Sequence, residues 1–121
     1  MAYIEIYPKN LRAQVTLTDK QDLLFDSLTN CVKKAFGVPD TDIIAELHEC
    51  SVISFCSKAV TLGVVPDVVI KIHTNDIEFQ EKAEKLKELI LDDWNCLFGE
   101  GIALECWINF FHTWGCNVDV N

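Results

Sequence analysis

The sequence predicts an α/β fold of the α+β kind: two tandem β-α-β units, forming a four-stranded mixed sheet with two helices on one face. Three observations carry this reading. The order strand, helix, strand occurs twice, in pseudo-repeats spanning 2–50 and 67–112 of the 121 residues. Both helical stretches close on the same dipeptide, Phe36-Gly37 and Phe98-Gly99. The strand-like runs that open the two copies, Tyr3 to Tyr7 and Val68 to Ile72, have matching lengths and positions.

The elements follow in order. Tyr3-Ile4-Glu5-Ile6-Tyr7 is rich in aromatic and β-branched residues and reads as a strand. A helix is expected from Asp19 to Phe36. Thr18 and Gln21 have capping-box spacing, and Leu24, Leu28, Cys31, Val32, Ala35 and Phe36 recur on one face. Gly37 suits a helix C-cap, and Pro39 forbids continuation. Ile43 to Leu47 is the second strand. Ser51 to Asp67 reads as either a short strand or an irregular loop. Val68 to Ile72 opens the second copy, and Ile77 to Phe98 is its helix. That helix turns Phe79, Ala83, Leu86, Ile90, Trp94 and Leu97 inward and Glu81, Glu84, Lys85, Glu88 and Asp92 outward. Leu104 to Phe111 is the last strand. Neighbours such as Ile43-Ile44 and Phe110-Phe111 suggest strands apolar on both faces. Helices cover only one face, so self-association is the expected cover for the other.

Composition bounds the function. Half of the residues are hydrophobic and a quarter charged, and the length suits one globular domain, 1–121. A net charge of −9 and a single arginine, Arg12, argue against a nucleic-acid partner. No apolar run suits a membrane span and no signal peptide is recognisable, so the expected location is cytoplasmic, with signal-less export left open. The six cysteines form no C-x-x-C pair and read as buried free thiols. His48, Cys50 and Cys56, or Cys106, His112 and Cys116, match no familiar zinc spacing, so no metal or other cofactor is expected.

Three segments carry a resemblance to the tautomerase superfamily, in particular its macrophage migration inhibitory factor-like branch. They are Met1-Ala2-Tyr3-Ile4-Glu5-Ile6 at the amino terminus, the turn Ala35-Phe36-Gly37-Val38-Pro39, and Trp107-Ile108-Asn109-Phe110-Phe111 followed by Cys116-Asn117-Val118. The resemblance implies a homotrimer with the sheets lining a central barrel. It also implies a keto–enol tautomerase (isomerase) site, whose base is an amino-terminal proline exposed by loss of the initiator methionine.

The chain departs from that pattern at the chemical centre. Ala2 stands at the proline position, Val38 replaces the carboxylate-holding lysine, and Leu17 and Ile44 stand where arginines would be sought. The resemblance assigns Ala2 and Asn109 as candidate catalytic residues. It assigns Tyr3, Val38, Ile72, Trp107, Val118 and Val120 to an apolar pocket for a small apolar or aromatic ligand.

Two readings of different class follow. One is a catalytically degenerate trimer that binds or assembles. The other is a weak tautomerase whose Ala2 amine is the general base and whose Asn109 places the substrate oxygen. A Cys–His enzyme drawing on Cys50, Cys56, His48 or His73, and a monomeric ferredoxin-like domain, are the remaining alternatives.

Overall fold

Four strands form one sheet in the order β2-β1-β3-β4, from β1 (Ala2–Pro8), β2 (Ile43–Leu47), β3 (Val68–Thr74) and β4 (Leu104–Phe110). β1 runs parallel to β2, β3 runs parallel to β4, and β1 and β3 meet antiparallel at the centre. This is the mixed sheet expected of two β-α-β units placed side by side. The computed structural model describes residues 1–111, 115, 116, 118 and 119. The expectations attached to His112, Asn117 and Val120 lie outside these residues.

The crossover of the first unit contains two helices where the sequence suggests one. α1 (Leu11–Asp19) is capped by Asn10, whose side chain accepts from the Ala13 amide at 2.8 Å. α2 (Gln21–Phe36) follows after Lys20. The Thr18–Gln21 capping box therefore does not form. Thr18 lies inside α1, and its hydroxyl donates to the Gln14 carbonyl at 2.8 Å. The apolar stripe of α2 is as expected, since Leu24, Leu28, Cys31, Val32, Ala35 and Phe36 are all buried. Gly37 ends it at φ 69°, a left-handed conformation that a Cβ disfavours.

Between the units, 48–56 is irregular and a short helix, α3 (Ser57–Leu62), occupies the segment read as strand or loop. In the second unit, 3₁₀ turns span Ile77–Lys82 before α4 (Ala83–Phe98). Asp76 caps them by accepting from the Glu78 amide, which explains why the α-helix begins later than its apolar pattern.

Both long helices pack on one sheet face. Ile4, Ile6, Ile70 and Ile72 are buried between sheet and helices with Leu28, Val32, Leu86 and Ile90. Each such side chain removed from water stabilises the fold by about 1.5–3 kcal/mol. Ser27 Oγ donates to Asp93 at 2.8 Å where α2 meets α4. At one end of the sheet, Asn10 donates to Asp67 at 2.9 Å, and Asp67 accepts from the Ala103 amide at 2.8 Å. These bonds tie the end of β1 to the starts of β3 and β4.

The opposite face differs from expectation. It is not apolar but aromatic and charged, bearing Tyr3, Glu5, Tyr7, Lys71, His73 and Asn109. Pleating separates each Phe110-Phe111 or Ile43-Ile44 pair, sending one neighbour to each side. Leu104, Cys106, Ile108 and Phe110 join the helix-side core, so Ile108 belongs to the chain's own interior.

Candidate functional site

Alternation along β1 and β3 builds the site. Tyr3, Glu5 and Tyr7 stand on the open face beside His73, Lys71 and Val69, their antiparallel partners. Across β3, His73 pairs with Asn109 and Lys71 with Trp107. A polar chain results. The Tyr7 hydroxyl donates to Glu5 Oε2 at 2.7 Å, and His73 Nε2 lies 3.5 Å from the same oxygen. His73 Nδ1 is 3.4 Å from Asn109 Nδ2. With Nε2–H directed at Glu5, Nδ1 is the acceptor for the asparagine amide. Phe111 stacks on the His73 ring at 5.4 Å between centroids, and His48 stacks on Tyr7 at 4.3 Å while its Nε2 faces Glu46.

The electrostatics follow from these contacts. The Tyr7 hydrogen bond, opposed by desolvation and supported by His73, holds the Glu5 carboxyl below its ordinary value. Its Glu5 bond pushes the Tyr7 hydroxyl up to about 12. Tyr3 is raised by its hydrogen bond with Glu46.

Two cavities flank His73. One, of about 430 Å³, opens at the start of β1 among Met1, Tyr3, His73, Asn75, Phe111 and Cys116. The other, of about 470 Å³, lies on the sheet face among Lys9, Lys71, His73, Trp107, Asn109 and Phe111. A third hollow of about 300 Å³ lies in the polar turn between α1 and α2, at Thr18 to Leu23, away from these aromatic groups.

The expected site residues separate among these surroundings. Tyr3 lines the first cavity, whereas Trp107 and Asn109 line the second. Ala2 pairs with Ile43 and Thr74, and its side chain is buried on the helix side; Met1 occupies the cavity rim. Ile72 is a correction: it is fully buried beneath the helices, because even-numbered residues of β3 face the core. Val38 packs against the edge of that core and lines neither cavity. Val118 is exposed, and Val120 lies outside the described residues. Leu17 is buried in the core and Ile44 is exposed on β2. Arg12 donates to the Gly101 carbonyl at 2.6 Å, so it anchors the turn before β4.

The thiol expectation is also corrected. Cys31 is buried, but Cys56, Cys96 and Cys116 are exposed. Burial, helped by Asp93, pushes the Cys31 thiol up to about 12, and burial pushes Cys106 up to about 11, so both resist ionisation. No group of three or more His, Cys, Asp or Glu side chains among the described residues is arranged to hold a metal ion.

Sequence reasoning noticed His73 only as a partner for cysteine and missed Glu5, Tyr7, Lys9 and Lys71. Alternation in Tyr3-Glu5-Tyr7 against Lys71-His73 was the available signal. Only strand register turns it into contacts.

The architecture is shared with solved structures that include MIF-like proteins and a 4-OT trimer. A protein of unknown function from Vibrio cholerae superposes with a TM-score of 0.66 at 13% identity, over 98% of this chain and 84% of that one. MIF2 from Leishmania major gives 0.61 at 11% identity, over 97% and 94%. A fused 4-OT symmetric trimer gives 0.51 at 12% identity, over 90% and 85%. No family model and no curated protein matches the sequence. At these identities the likeness is one of fold. No helix among the described residues is long and apolar enough to cross a membrane.

Proposed function

We propose that this protein is a homotrimeric binding protein on a tautomerase-type fold, one domain per chain, whose ancestral proton-transfer chemistry is degenerate. The observation that carries the reading is the cavity at the start of β1. Aromatic Tyr3 and Phe111 wall it, and no lysine or arginine is among its described lining residues. A buried carboxylate needs a cation or several donors to offset its desolvation. Beyond the chain's own amino terminus at Met1, the lining offers no fixed cation among the described residues, which favours a small neutral aromatic or apolar ligand. The exposed aromatic and charged sheet face supports assembly into a barrel, and one structural neighbour is a symmetric trimer.

Binding of 2-naphthol is the first test, read by ligand-observed NMR together with sedimentation of the free protein. The expected result is a trimer that binds the probe and loses it in Tyr3→Ala. A monomer, or binding unaffected by that change, would overturn the reading.

One observation favours a second reading, a weak keto–enol tautomerase. Met1 lines the cavity, so a chain beginning at Ala2 would carry its amine at the same rim. That amine would take the proton from the α-carbon, and the C–H pair would form the enol C=C bond as the carbonyl π pair moves onto oxygen. The resulting ammonium would return the proton to that oxygen. Phenylpyruvate tautomerisation by Met1-free protein decides between the two. Turnover abolished by blocking the terminal amine supports catalysis; a trace matching buffer supports binding.

A further inference from the structure

The ring of His73 stands between a group that can only accept a hydrogen bond and a group that can do either. On one side is Glu5 of β1, whose Oε2 lies 3.5 Å from Nε2. On the other is Asn109 of β4, whose Nδ2 lies 3.4 Å from Nδ1. The His73 and Glu5 side chains are about three-quarters shielded from water, and Asn109 is half-buried.

The carboxylate fixes the neutral ring. It has no hydrogen to give, so Nε2 carries the ring's proton and Nδ1 keeps its lone pair. Asn109 then turns its NH2 group toward Nδ1 and leaves Oδ1 at the free end of the amide. A second ring proton reverses this arrangement. Nδ1 becomes a donor facing another donor across 3.4 Å, and neither can satisfy the other. The asparagine amide has an acceptor at one end and a donor at the other. Half a turn about its last side-chain bond therefore presents Oδ1 to Nδ1–H without moving the backbone.

We infer that His73 and Asn109 form a proton-operated switch, in which protonation of the ring turns the Asn109 amide over. Both residues line the 470 Å³ cavity on the sheet face, so the free end of the amide there changes from acceptor to donor. A neutral ligand bearing an O–H or N–H suits the first state. One bearing only a carbonyl or ether oxygen suits the second. The switch needs one chain and does not depend on what the cavity at the start of β1 holds.

The surrounding groups leave the ring free to act. Imidazole gains its second proton between about pH 8 and 5. Over that interval Glu5 stays ionised, because the Tyr7 hydrogen bond holds its carboxyl below the ordinary value. Tyr7, pushed up to about 12, keeps its hydrogen. Lys9, Lys71 and Glu105 share the sheet-face cavity with the ring, and Met1, Tyr3 and Cys116 share the other. Glu46 and His48 lie one strand further off, beside Glu5 and Tyr7.

The test is NMR of the nitrogen-labelled full chain between about pH 8 and 5. At the alkaline end the ring should carry its proton on Nε2, and one Asn109 amide proton should show a nuclear Overhauser contact to the His73 ring. As the ring titrates, that contact should be lost and both Asn109 amide protons should shift with the ring's own midpoint. His73→Gln should leave the Asn109 amide unresponsive, while His48→Gln should preserve the response. A neutral ring with its proton on Nδ1, or a ring that takes no proton in this range, would overturn the switch. So would Asn109 protons that stay still while the ring titrates, or that still respond in His73→Gln.

Discussion

The two faces of the sheet are made from alternate residues of the same strands, yet they obey different rules. On the helix side, Ile4, Ile6, Ile70 and Ile72 have no exposed surface and lie within the apolar core. On the open side, Glu5, Tyr7 and His73 are half-buried and linked by hydrogen bonds and ring contacts. The first face is governed by volume and is intolerant of change. The second is governed by pairing, and its groups can exchange a neighbour for a ligand or subunit. Fold and function are thus separated by one residue of register.

The largest effect expected from this contrast is on stability. Ile4→Ala or Ile72→Ala should cost about 2–5 kcal/mol in urea unfolding, whereas Tyr3→Ala on the other face should cost about 1 kcal/mol or less. Similar costs would mean that the open face is as tightly packed as the core. The next effect separates folding from assembly. Ile108→Asp places a charge in the chain's own core and should abolish the circular-dichroism signal of the fold. Its neighbour Trp107→Asp should leave that signal intact and lower the sedimenting mass. Loss of fold in the Trp107 variant would break the comparison.

A smaller effect concerns the thiols. Cys56 and Cys96 should react with iodoacetamide in native protein, while Cys31 stays silent until denaturant is added, as read by peptide mass mapping. Fast native labelling of Cys31 would show that the α2–α4 seam opens.

The smallest effect is in acid. Glu5 is held below its unfolded value of 4.5, so its contribution is complete above that pH and fades as pH falls through the lower, folded value. Glu5→Gln should therefore flatten the acid limb of stability by no more than about 1 kcal/mol, because the pair is partly solvated. An acid limb that is the same in the variant and in wild type would overturn this assignment to Glu5.

Much of the fold was legible because it depends on local pattern. The stripe from Leu24 to Phe36, the Gly37 cap and the four strands all follow from periodicity and backbone stereochemistry. Sequence reading failed where local signals competed. Thr18 and Gln21 have the spacing of a capping box, but Asn10 starts a helix earlier and absorbs Thr18. The apolar Ser51 to Asp67 stretch has no alternation to reveal α3. Of the candidate site, Tyr3, Trp107 and Asn109 reached open cavities, while Ile72 did not.

By itself the sequence determined the element order and the apolar face of each helix. These are properties of residue identity and short-range spacing. Only the tertiary structure decided that Glu5, Tyr7, Lys71, His73 and Asn109 share one surface, and that Lys9 joins Lys71 over a single ring. The strand residues among these partners come from β1, β3 and β4, far apart in sequence. Antiparallel register across β1 and β3 and parallel register across β3 and β4 select them. Register arises from burying the isoleucines on the opposite face, so the hydrophobic core arranges the polar site without touching it.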